Sequence, residues 1–295
     1  MHILDLLARK TPALSFEFFP PKSREDHARL LEQVQQLDCL HPDFISITYG
    51  AGGGTRNLTL DLVDQLRDRN PIPHLTCVGH TREQIRGILN HHATTGVSNI
   101  LALRGDPPKN GAVAPSDFAH AADLVKFIRE FARHRDPQGF GIGVAGFPEG
   151  HPATPNRMLE MDHLKAKVDA GADYICTQFF FDNHDFHDFR ARCELAGIHL
   201  PIIAGIMPVT SMGSMKRLAE LAGGARFPAK LIRALQRAGS DPAAVRRAGI
   251  HYAAAQCSDL LHHGVAGLHF YTLNQAGATL EICERIGMVR RVSAA

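Results

Sequence analysis

Apolar and polar residues along this chain follow two alternating periods. Short runs rich in branched and aromatic residues, bounded by Gly, Pro or Asp, recur at 13–20, 43–50, 73–79, 99–106, 141–148, 174–182, 201–207 and 267–273. Runs of this length and composition predict buried strands. Between them, stretches such as Ala28–Leu37 and Asp123–Phe131 space their apolar residues at three and four positions, which predicts amphipathic helices. Strict alternation of strand and helix implies parallel strands joined by crossover helices. Eight such units fill the length of one (β/α)8 barrel, a TIM barrel. An open, doubly wound sheet is the alternative that periodicity leaves standing. No low-complexity linker divides the chain, so residues 1–295 read as a single barrel domain. The longest interval precedes the last strand and holds Pro228–Arg237, which predicts an extra helical segment inserted there.

Composition narrows the function classes. The 295 residues are 44% hydrophobic and 21% charged with a formal net charge of +2, a soluble balance that gives no reason to expect nucleic acid or an anionic membrane surface as partner. No apolar run has the length of a membrane span, and the first residues lack the basic-then-apolar pattern of a signal peptide. Six scattered cysteines without a CxxC pair predict free thiols, and with them a cytoplasmic location. The histidine pairs His91-His92 and His262-His263 are adjacent in sequence, so they point apart on a helix and chelate poorly. No HExxH and no Cys/His quartet has zinc spacing; a metal is not expected.

The chemistry gathers where a barrel places it, at the carboxyl ends of the strands. Glu17 stands in the first run between Phe16 and Phe18, with Pro20-Pro21 closing the segment. A carboxyl group in an apolar surround holds its proton more tightly, which suits it to general acid work near neutral pH. The plainer reading of Glu17 is a structural carboxylate paired with an Arg or capping a neighbouring loop. The second run ends in Thr48-Tyr49 and a glycine-rich loop, and the third is expected to open near His74. The fourth ends Arg104-Gly105-Asp106, the fifth leads into Phe147–Pro152, the sixth carries Thr177–Asp182 and the eighth ends Tyr271–Asn274. Asp106 and Asn274 have ordinary readings as turn or capping residues. Gly141–Gly146 matches GxGxxG literally, but it follows a loop and runs into Phe147-Pro148 rather than opening a helix. The dinucleotide fingerprint needs that helix, so these glycines belong to a strand and leave room for something bulky beside it.

These motifs together carry a resemblance. Phe16–Pro21, Thr48–Ala51, Pro73–Cys77, Ala102–Asp106, Pro148–Pro152, Lys167–Ala172, Thr177–Asp182 and His269–Asn274 resemble, in this order, the bacterial 5,10-methylenetetrahydrofolate reductases. The resemblance implies a barrel holding noncovalent FAD, reduced by NADH or NADPH, which then passes the hydride to 5,10-methylenetetrahydrofolate in a ping-pong cycle. The product, 5-methyltetrahydrofolate, supplies methyl groups for methionine synthesis. It also implies a homo-oligomer.

Carried over residue by residue, the resemblance makes Glu17 the general acid that opens the folate's five-membered ring, and Asp106 the carboxylate beside the flavin. Gln178 becomes the pterin-holding side chain. Thr48, Tyr49, Ala51, His74, Arg104, Gly105, Asp106, Ala121, Phe147, His151, Glu160, His163 and Lys167 fall on cofactor-contacting positions, with Arg104 and Lys167 suited to phosphate or ribityl oxygens. Ser214 and Gln275 fall on folate positions. The chain departs from the family pattern in six places, one of them an extra stretch, Asn110–Ala114, before His120. Glu160 stands where Asp is expected and Phe147 where Tyr is common. His120 occupies a position often aromatic, Gln275 replaces an Arg, and Ser214 a Gln. Two other functions fit the same residues less well: a barrel flavoenzyme acting on an amine or imine such as proline, and a flavin-free folate-binding subunit.

Overall fold

In the computed structural model, which describes residues 1–9, 11–49, 56–106, 116–132, 138–221 and 225–288, the eight predicted runs all form strands. The elements are α1 (Ile3–Leu7), β1 (Ala13–Phe18), α2 (Arg24–Leu37), β2 (Phe44–Ile47), α3 (Arg56–Gln65), β3 (Pro71–Thr76), α4 (Arg82–Thr95), β4 (Asn99–Leu103) and α5 (Ala121–Ala132). They continue with β5 (Gly141–Gly146), α6 (Arg157–Asp169), β6 (Tyr174–Thr177), α7 (Asn183–Leu195), β7 (Ile202–Ile206), α8 (Met212–Leu221), α9 (Ala229–Arg237), α10 (Pro242–His262), β8 (Gly267–Tyr271) and α11 (Gly277–Arg285). The strands close in chain order, every pair parallel, and β8 pairs back onto β1. This is the (β/α)8 barrel, and the open sheet is excluded.

Side-chain alternation splits the barrel into two cores. Phe16, Phe18, Ile45, Ile47, Leu75, Val144 and Phe270 point outward against Leu30, Val34, Leu37 and the other helices. Inside the barrel, Ala13, Phe44, Ile72, Leu101, Tyr174, Cys176 and Ile203 pack together, and Ile3 and Leu6 of α1 plug the amino end. Asn99 fixes that plug: its side chain accepts from the Ile3 amide at 2.7 Å and donates to the Met1 carbonyl at 2.8 Å. The sequence pattern missed α1, because five residues are too few to display a helical period.

The literal GxGxxG is strand β5, as its surroundings predicted. Gly143 makes space for a bulky neighbour, since a Cβ there would come within 2.3 Å of the Tyr174 ring. The third strand begins at Pro71, three residues before His74, so His74 lies inside the barrel wall and not at its start. Prolines 71 and 73 are tolerated because β3 pairs with β4 only from His74 onward. The inserted helix is α9. With α8 and the start of α10 it covers a third apolar cluster, Phe179, Phe181, Met207, Val209, Leu231 and Leu235, over the carboxyl ends of β6 and β7. All six cysteines are free, five of them buried. No helix among the described residues is long and apolar enough to cross a membrane.

Candidate active site

Glu17 is the last inward residue of β1, level with Ser46 on β2 and Tyr271 on β8. Its backbone is tied from above, where the Thr272 hydroxyl donates to the Glu17 carbonyl at 2.6 Å. Phe16 and Phe18, its sequence neighbours, face the helices. The apolar flanks seen in the sequence therefore do not surround the carboxyl group. Its actual neighbours are two imidazoles, His74 Nε2 at 3.5 Å and His269 Nε2 at 3.8 Å from Oε2, and its side chain keeps 17% exposure toward the barrel mouth.

His269 is held on both sides, Nδ1 2.8 Å from the Ser15 hydroxyl and Nε2 3.2 Å from that of Ser46. Burial lowers the His74 imidazole, against the pull of Glu17, so His74 lies beside the carboxyl group as a neutral ring near neutral pH. Ser15, Ser46 and His269 had no assigned role in the sequence. The signal that finds them is the period of two, which sets Ser15 inward with Glu17 on β1 and His269 inward with Tyr271 on β8.

A second group of polar side chains lies across β4, β5 and α6. Lys167 reaches up from α6 to donate to the Ala145 carbonyl at 2.6 Å, and burial pushes its ammonium down to about 8, against the pull of Glu160 and Cys193. Burial also lowers His151, and the Arg104 and Lys167 cations push it the same way, while Asp106 pulls it up. Phe147 meets His151 edge-on at 4.6 Å. His163 on α6 stacks on His120 at 6.2 Å, which brings Ala121, the first residue of α5, to the same side. Gly105 has φ +83, and a Cβ there would meet Val78 at 2.7 Å, so the backbone after β4 must be glycine to run this close to β3. Glu160 is buried beside Arg157, Oε2 to NH1 3.3 Å, and burial raises its carboxyl group. Its acid is thus turned toward Arg157 and Lys167.

Other candidates are spread more widely. Gln178 follows β6, its Oε1 accepting from the Phe179 amide at 3.0 Å. It lines a cavity of about 300 Å³ with Phe147, His151, Arg157, Phe179 and Arg226. Tyr271 packs edge-on against Phe179 at 5.5 Å, and its hydroxyl donates to the Thr177 carbonyl at 2.8 Å. Tyr49 is buried with its hydroxyl 3.1 Å from His80 Nε2, a partner the sequence did not suggest. Thr48 uses its amide on Phe18 and its carbonyl on Thr59. Ser214 spends its hydroxyl on the Ser211 carbonyl at 2.7 Å, and Gln275 is exposed after the turn that ends β8. Ala51 and the stretch Asn110–Ala114 lie outside the described residues. Asn274, read from sequence as an ordinary turn or cap, instead clasps β1 to β8: its side chain accepts from the Phe19 amide at 3.0 Å and donates to the Phe19 carbonyl at 2.9 Å.

The arrangement thus offers a carboxyl group at the β1 end of the barrel and a cationic wall over β4, β5 and α6. Arg104 and Lys167 make only backbone hydrogen bonds among the described residues, so their charge is available to an anion such as a diphosphate.

Comparison with known proteins follows the same outline. Residues 2–287 match the family model described as Methylenetetrahydrofolate reductase. The chain is 37% identical over 278 residues to 5,10-methylenetetrahydrofolate reductase of Escherichia coli, covering 93% of this chain and 90% of that one. It is 39% identical over 292 residues to Methylenetetrahydrofolate reductase (NADH) 1 of Arabidopsis thaliana, but spans only 48% of that longer relative. A solved structure from Clostridium thermocellum, described as binding two copies of 5-methyl-5,6,7,8-tetrahydrofolic acid, superposes with a TM-score of 0.66 at 14% identity over 98% of each chain. At that identity the likeness is one of fold.

Proposed function

From the premise that this chain belongs to the methylenetetrahydrofolate reductase family, we propose that it reduces 5,10-methylenetetrahydrofolate to 5-methyltetrahydrofolate, with FAD bound noncovalently and NADH or NADPH as donor. The observation that carries this reading is Glu17, anchored by Thr272 at the barrel mouth within 3.8 Å of two imidazoles and open on the substrate side. FAD would supply the two-electron chemistry, accepting a hydride from the nicotinamide and giving it to the one-carbon unit. The chain supplies binding, orientation and the proton. Arg104, His151 and Lys167 would hold the FAD diphosphate through positive or proton-bearing groups, and Gly105 lets that backbone approach closely. Asp106, beside them, is positioned to balance positive charge developing on the substrate. Gln178 offers both donor and acceptor to a pterin edge. Glu17 gives its proton to the folate so that the five-membered ring opens, and Ser15 and Ser46 hold His269 beneath it. Residues 1–295 act as one reductase barrel in this reading, and a homo-oligomer is part of the same proposal.

The test is anaerobic mixing of the FAD-loaded protein with NADH or NADPH, followed by methylenetetrahydrofolate, while the flavin absorbance is watched. Bleaching by a nucleotide and recovery with folate is the expected result, and the faster nucleotide identifies the donor. Bleaching without recovery would replace the folate with another substrate, such as a cyclic amine. A protein that binds no flavin would be a folate-binding subunit instead.

Lys167 makes the cofactor part of this reading testable by pH. A lysine that loses its proton at about 8 is cationic below that value and neutral above it. If it faces a diphosphate, the affinity for FAD, followed by quenching of flavin fluorescence, weakens as pH rises through 8. Lys167→Arg holds its charge throughout that range and is expected to flatten the profile. A wild-type profile without an inflection there would remove Lys167 from the cofactor site.

A further inference from the structure

We propose that His187, Asp259 and His263 form a zinc site on the outer helical layer, bridging α7 and α10. The two helices run side by side. Asn183 donates to the Gln256 carbonyl at 3.0 Å and to Asp259 Oδ2 at 2.7 Å, and Arg190 donates to the His263 carbonyl at 2.9 Å. This pairing brings His187 from α7 against Asp259 and His263, which sit four residues apart at the end of α10 and so share a face. Each of the three offers one ligand atom, and those atoms lie within 4.8 Å of one another, the single such cluster among the described residues.

Tetrahedral zinc with bonds of about 2.0–2.1 Å to nitrogen and oxygen sets its ligand atoms roughly 3.3 Å apart. His187 Nε2 and Asp259 Oδ2 already stand at 3.3 Å. The remaining separations close by small rotations, which these side chains can make because they are 28%, 45% and 48% exposed. The same exposure gives the ion an entry path and leaves a fourth position for water. Asn183 orients the Asp259 carboxylate from outside the ligand set, as outer partners of bound zinc do. Nε2 of His187 is the nitrogen aimed at Asp259 and the one that would meet the ion, while Nδ1 is buried on the other side of the ring. The charges favour an ion over simple pairing. Two imidazolium rings 4.7 Å apart would repel while sharing one carboxylate, whereas two neutral rings and one carboxylate are a complementary set for a divalent cation.

The sequence hid this site because the visible signal was the adjacent pair His262-His263. The relevant partner of His263 is Asp259 one turn earlier, and His187 arrives from a different helix. A zinc ion here would tie the start of α7, and hence the end of β6, to α10.

The test uses the full-length untagged protein after treatment with a chelator. Titration with Co²⁺ is expected to give the visible absorption of a four-coordinate site, saturating at one ion per chain and displaced by Zn²⁺. Asp259→Asn and His187→Gln should each abolish it. Zn²⁺ should also raise the wild-type melting temperature and not that of His263→Gln, a readout that stands even if one variant folds poorly. Failure of the wild-type protein to take up Co²⁺ in four-coordinate form overturns the proposal. So does an absorption that persists unchanged in a folded Asp259→Asn variant.

Discussion

Glu17→Gln is expected to leave reduction of bound flavin by the nicotinamide donor largely intact while slowing the folate half-reaction by about 10²–10⁴-fold, the range that a positioned general acid contributes. The two half-reactions differ in one requirement. Hydride transfer from nicotinamide needs no proton from the protein, whereas opening the folate ring does. Glutamine keeps the shape of the side chain and can still meet His74 and His269, which stand 3.5 and 3.8 Å from the carboxylate, so the barrel mouth stays filled and no cavity opens. The Thr272 bond reaches the Glu17 backbone and is untouched by the exchange. Single-turnover traces of each half-reaction, with a melting curve of the variant, make the measurement. If both half-reactions slowed equally, Glu17 would be an organiser of the site and its role as proton donor would be lost.

The second large effect falls far from that chemistry. Gly249→Ala is expected to destabilise the protein by about 3 kcal/mol or more, at the upper end of what overpacking costs. A Cβ at Gly249 would sit 1.7 Å from the Val209 carbonyl oxygen and 2.9 Å from its carbon. That neighbour is backbone, so no side chain can swing aside; α10 itself must withdraw. The same helix carries Ile250, Ala253, Cys257 and Leu260 into the core, and a shift loosens all of them. At roughly 2–4 °C per kcal/mol for a domain of this size, the melting temperature falls by roughly 6–12 °C. Gly87→Ala serves as the contrast. It lies on the exposed face of α4 with nothing within 4 Å of the added carbon, and alanine there should stabilise by about 0.5–1 kcal/mol. Equal melting of Gly249→Ala and wild type would mean that α10 does not cross the β7 exit this closely in solution.

Much of the barrel was legible because each strand–helix unit repeats a local signal. Burial on both faces forces near-continuous apolar runs in the strands, and burial on one face forces a three- to four-residue period in the helices. Where an element is too short to repeat its period the signal fails, as in α1. Where proline argues against a strand, the boundary slips, as at Pro71. The site was legible through motifs, which mark positions without saying where side chains turn. Glu17 read as a carboxyl group between phenylalanines. Alternation along β1 sends those rings outward and leaves the carboxyl group among histidines.

The sequence by itself determined the alternation of strand and helix, the inserted helix and the resemblance to the family, since each is written in local periods or ordered motifs. Closure of the strands in chain order came from the structure. Tertiary structure alone decided what depends on barrel closure. It brought His269 from the eighth strand beneath Glu17 of the first, clasped Phe19 with Asn274, and set Arg104, His151 and Lys167 along one wall. It also joined His187 to Asp259 and His263 across two helices. Those contacts lie between residues distant in the chain, and their distances follow from strand register and helix packing, which no single segment encodes.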